Sequence, residues 1–92
     1  MDLFSHHNIR EALKRSERIN MRGEMCIPLH ILWKNLNDLK ISKKNFSDYL
    51  YLIGAKQDME YINAIIPILY PEDGSIPNID KSETFKITSG LR

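Results

Sequence analysis

Lys43, Lys44, Asn45, Ser47 and Tyr51 stand within one short window, and their groups suit nucleic-acid chemistry. Lysine ammonium groups neutralise phosphates, while an amide, a hydroxyl and a phenol can donate to a phosphate oxygen or a base edge. On a helical wheel Lys44, Ser47, Asp48 and Tyr51 share an outward face with Lys43 beside it. Phe46, Tyr49, Leu50 and Ile53 form the opposite, apolar face. A helix in the major groove leads with its N-terminal residues, here Lys43, Lys44 and Asn45. Asp48 opposes that reading, although an aspartate can accept from a cytosine amine. The competing reading of the same face is a solvated helix surface without a partner.

Other reactive side chains suggest less. Arg10, Lys14 and Arg18 form a four-residue ladder with Arg15 and Arg22 nearby, interleaved with Glu11 and Glu17. That pattern suits an ordinary exposed helix face better than a phosphate track. His6, His7, Cys26 and His30 are the metal-ligand candidates, but adjacent histidines diverge on a helix and Cys26 to His30 fits no zinc spacing. The same Cys26 and His30 are the one thiol–imidazole pair for nucleophilic catalysis, and no third residue is placed to orient them. No glycine-rich phosphate loop is present. No catalytic residue, metal ligand or cofactor is therefore expected.

The bulk numbers set the frame. At 92 residues, one domain with a single core is expected. A hydrophobic fraction of 42% and a charged fraction of 27% exclude a disordered chain. The longest apolar run, Ala64 to Tyr70, is broken by Pro67 and falls well below the roughly 20 residues of a membrane span. The start, MDLFSHHNIREALK, lacks a basic segment followed by an apolar one, so no secretion signal is expected. One cysteine cannot form an internal disulfide and fits a reducing cytoplasm. The net charge of +1 counts against a dedicated polyanion binder, so any positive patch must come from placement.

Three helices are expected, over about 8–22, 28–39 and 42–54. Asn8 and Glu11 have capping-box spacing, and Gly23 suits the far end of the first helix, with Ile9, Ala12, Leu13 and Ser16 inward and Ile19 at the margin. Met25 to Ile27 could form one edge strand. Pro28 suits the first turn of the second helix, whose Leu29, Leu32, Trp33, Leu36 and Leu39 make the clearest amphipathic pattern. Ser42 can cap the third helix, and Gly54 ends it. Tyr61 to Tyr70, rich in isoleucine and tyrosine, reads as a strand with an edge or bulge at Pro67. Pro71-Glu72-Asp73-Gly74 reads as a turn, and Thr84 to Thr88 as the returning strand of a hairpin over about 60–88. Tyr61, Tyr70 and Phe85 would face one another across it.

This order resembles the winged helix-turn-helix domains, from about Asn8 to Gly90. LNDLKISKKNF (Leu36 to Phe46) looks like the turn before a recognition helix, and TFKITSG (Thr84 to Gly90) is similar to a closing wing strand. The resemblance implies an α+β (α/β) fold, a single winged helix-turn-helix domain of three helices followed by a two-strand β-hairpin wing. It implies a double-stranded DNA-binding regulator of transcription or replication with its third helix in the major groove. Lys43, Lys44, Asn45, Ser47 and Tyr51 would then be its contacts, with Lys40 and Lys56 near phosphates at either end. Glu72 and Asp73 stand where a DNA-touching wing carries cations, which counts against contact by the wing tip. A homodimer would supply paired half-sites. The alternative is a winged-helix module that binds another protein through its acidic hairpin or basic first helix.

Overall fold

Hydrophobic spacing organises the chain more strongly than residue type. The computed structural model describes residues 3–54 and 59–86. Helices α1 (Leu3–Arg15), α2 (Leu29–Asp38), α3 (Lys43–Gly54) and α4 (Met59–Leu69) form, with short strands β1 (Arg18–Ile19) and β2 (Met25–Cys26) between α1 and α2. Among the described residues the chain divides into two compact units, one of residues 3–41 with 79–86 and one of 42–54 with 59–78. No described helix is long and apolar enough to cross a membrane.

In the first unit α1 packs on α2. Ile9, Ala12, Leu13, Leu29, Leu32 and Leu36 are buried, each at three- or four-residue spacing along its helix. Ser16 is fully buried among them. Its hydroxyl donates to the Ala12 carbonyl (2.6 Å) and accepts from the Asn35 side-chain amide (2.9 Å), which satisfies both groups. Trp33, part of the apolar stripe of the second helix, is only half-buried. Helix α2 lacks a side-chain N-cap. The Glu83 carbonyl takes the Leu29 amide instead (2.9 Å), and the Phe85 amide donates to the Ile27 carbonyl (2.7 Å). Thr84 bridges Pro28, so residues 83–85 lie antiparallel beside 27–29.

Helix α2 ends in a Schellman motif. The Ile41 amide reaches the Leu36 carbonyl (3.0 Å) and the Lys40 amide reaches Asn37 (3.1 Å). The left-handed position falls on Lys40, with φ 55°, where glycine carries no Cβ penalty. Lys40→Gly is therefore expected to raise stability by about 0.5–1 kcal/mol, read as a rise of several degrees in Tm. A lower Tm would show that the lysine side chain holds the turn.

In the second unit α3 packs on α4. Phe46, Tyr49 and Leu50 are buried on α3, and Ile62, Ile65, Ile66 and Leu69 on α4. The Phe46 and Tyr70 rings stand 6.1 Å apart at 46°. Burial pushes the Tyr70 phenol above its ordinary range. After α4, the Gly74 amide donates to the Pro71 carbonyl (3.0 Å) and Gly74 takes φ 72°, so the turn read at Pro71 to Gly74 forms.

The expected winged helix-turn-helix order does not form. A fourth helix occupies the place of the first wing strand, and the one two-stranded sheet among the described residues lies between α1 and α2. The burial pattern gives the reason. Ile62, Ile65, Ile66 and Leu69 follow helical spacing, whereas a strand burying Ile62 and Ile66 would also bury Ala64 and Ile68, which are exposed. The aromatic facing expected across that hairpin goes with it: Tyr70 meets Phe46, and Phe85 is buried beside β2. Thr84 and Phe85 do pair, but with Pro28 and Ile27; the rest of the expected closing strand, from Ile87 to Gly90, lies outside the described residues.

The first helix also differs. It begins five residues before Asn8 and stops at Arg15, so Asn8 is not a cap. The Arg18 guanidinium binds the Arg15 and Glu17 carbonyls (both 2.7 Å) at its end. Cations there suit the negative end of the helix dipole. Gly23, expected to cap that helix, turns a hairpin instead. Ile19 is 69% exposed on it.

Candidate nucleic-acid interface

Helix α3 carries the polar stripe seen in the sequence. Ser42 sets its start, because the Ser42 Oγ accepts the Asn45 amide (3.1 Å) and occupies one of the free N-terminal donors. Lys43 and Lys44 follow in the first turn, both exposed, and no acid stands there. Ser47 and Asp48 are half-buried, and Tyr51 is exposed one turn further on. Lys44, Ser47, Asp48 and Tyr51 thus run along one face, with Lys43 beside them and Asn45 to the other side.

Two of these side chains are engaged within the chain. Lys44 Nζ meets Asp48 Oδ2 at 3.1 Å, an exposed pair four residues apart. Such pairs contribute about 0.3–0.5 kcal/mol, and this one has the less favourable order, cation before anion. A phosphate could displace it readily. The Tyr51 hydroxyl donates to Asn63 Oδ1 on α4, so its proton is committed to a neighbouring helix.

Of the other expected contacts, Lys40 is exposed but belongs to the end of α2 in the other unit. Lys56 lies outside the described residues. Charge is unevenly divided. The described residues of the first unit hold nine Lys/Arg against six Asp/Glu, those of the second two against four. The lysines of α3 are therefore a local positive spot on an acidic unit.

The first unit carries a surface that the helix-based reading missed. Strands β1 and β2 pair antiparallel, Arg18 with Cys26 and Ile19 with Met25. The turn between them is heavily bonded. Asn20 exchanges backbone bonds with Glu24 and Gly23, and its side-chain oxygen accepts the Arg22 and Glu24 amides (2.9 and 3.0 Å). Gly23 takes φ 77°. Asn first and Gly fourth is a turn signature legible in the sequence. Met21 at the tip is fully exposed (105%), and Met25 is 52% exposed.

Among the described residues no three His, Cys, Asp or Glu side chains could hold a metal ion. Among the described residues, His30 Nδ1 is buried without a hydrogen-bond partner.

No protein-family model, curated protein or solved structure matches the chain.

Proposed function

We propose that the chain binds duplex DNA through the N-terminal half of α3. The observation that carries this reading is the placement of Lys43 and Lys44. Both stand in the first turn, exposed and without an acid, against the positive end of their own helix. A cation there costs a few tenths to about 1 kcal/mol, and an anion binding at the same end reverses the sign. Phosphates are the natural counter-charge. Ser47 and the displaceable Lys44–Asp48 pair extend the contact along the helix. One helix covers few base pairs, so two copies on adjacent half-sites would complete the affinity.

The test is anisotropy of a labelled random duplex at low and physiological salt. The double variant Lys43→Ala with Lys44→Ala should reduce the slope of log affinity against log salt by about 2. An unchanged slope removes α3 from the interface. A second reading, a protein-binding module, draws on Leu52, Met59 and Ile68, which are exposed on the acidic second unit. Absence of duplex binding at low salt would favour it.

A further inference from the structure

The β1–β2 ribbon joins an exposed apolar tip to a turn with little freedom. Ile19 and Met25 are directly opposed and share one face of the ribbon, because paired residues of antiparallel strands point the same way. Met21 stands beyond them at the tip, and Arg22 beside it is exposed. The Asn20 side chain and Gly23 hold the turn that presents both. Displaying apolar groups on a tied-down turn has no packing benefit for the unit itself, since neither Met21 nor Ile19 covers its core.

We infer that this ribbon is a second DNA-contacting element, with Met21 as a wedge at a base step and Arg22 on an adjacent phosphate. The inference rests on the proposal that the chain binds duplex DNA. Charge complementarity selects the occupant: the unit bearing the ribbon holds nine Lys/Arg against six Asp/Glu among its described residues, which favours a polyanion. The chemistry of the tip fits the same partner. Two-stranded ribbons lie in DNA grooves, and apolar side chains, methionine among them, inserted between base steps partly unstack them, with a nearby arginine on the backbone. Arg18 is bound to the Arg15 and Glu17 carbonyls and Arg15 to Glu11, so Arg22 is the cation at the tip. Glu24 is the opposing charge in the ribbon, exposed and two residues from Arg22. Its presence fixes a sign: Glu24→Gln should tighten binding.

The experiment uses a labelled random duplex carrying 2-aminopurine at flexible TA steps, titrated with the full chain at low salt. Wild type should bind and raise the 2-aminopurine fluorescence as the step unstacks. Met21→Ser should abolish that rise and weaken binding roughly tenfold, the lower end of what burying a methionine side chain supplies. Its Tm should not change, because the side chain is fully exposed. Glu24→Gln should strengthen binding, and Arg22→Ala should lower the salt slope by about 0.9. If Met21→Ser binds and unstacks like wild type, the wedge is overturned while DNA binding stands. If wild type binds no duplex, both fall. If wild type ignores duplex but binds phosphatidylserine vesicles through Met21, the ribbon is a lipid-facing element and the inference is overturned.

Discussion

Phe46→Ala should cost about 3–5 kcal/mol, the range for emptying a fully buried aromatic site. Phe46 has no exposed surface, and its ring is tilted against that of Tyr70 at 6.1 Å. Truncation removes the transfer gain of the ring and leaves a void that α3 and α4 can only partly close. It also strips one wall from the Tyr70 phenol. Domains of this size carry roughly 5–15 kcal/mol in total, so a large part of the stability rests on one side chain. Urea unfolding followed by circular dichroism would show a much lower midpoint at unchanged slope. A loss below about 1 kcal/mol would mean that the ring does not fill the space between the two helices. Phe46→Leu should recover much of the loss, since it retains most of the apolar volume.

Pro67→Ala should act in the opposite direction and stabilise by about 2–2.6 kcal/mol. Pro67 lies inside α4, where it lacks the amide that would reach the Asn63 carbonyl four residues back. A proline in a helix interior costs about 3 kcal/mol, and its restriction of the unfolded chain returns roughly 0.4–1 of that. Pro67 is exposed, so alanine opens no cavity. The helical signal at 222 nm and the Tm should both rise. An edge strand predicts the reverse sign, because there proline removes a donor that faces water and its loss only loosens the unfolded chain. The sign of this substitution therefore reports directly on the helical state of the segment.

That segment marks where sequence reasoning met its limit. Helices α2 and α3 were legible because each carries an apolar face of one period and an identifiable start, Pro28 and Ser42. Segment 59–69 holds an equally good stripe, Ile62, Ile65, Ile66 and Leu69, but its isoleucines and Pro67 match strand composition. Periodicity decides such cases, because β propensity describes how side chains pack more than what the backbone prefers. The hairpin was hidden for a different reason. Strands of two residues have no period, and Arg18 and Ile19 could continue the ladder of α1. Only Asn20 and Gly23 signal the turn, and Gly23 suits a helix end equally well. Of the proposed DNA-contact residues, the outward stripe of α3 was legible down to exposed Lys43, Lys44 and Tyr51. The bond from Tyr51 to Asn63 was not, since it requires knowing that α4 exists.

The pairing of residues 83–85 with 27–29 has a consequence for how the protein is made. A chain emerging from the ribosome completes α1, the hairpin and α2 first, yet the carbonyl of Ile27 and the amide of Leu29 wait for partners that lie beyond α4 in the chain. Closing that gap requires ordering a long intervening loop, a cost that rises only slowly with its length. The second unit lies within the loop and can form first. Its folding shortens the remaining search, so translation order and native order differ: of the two units, the one that begins earlier is finished later.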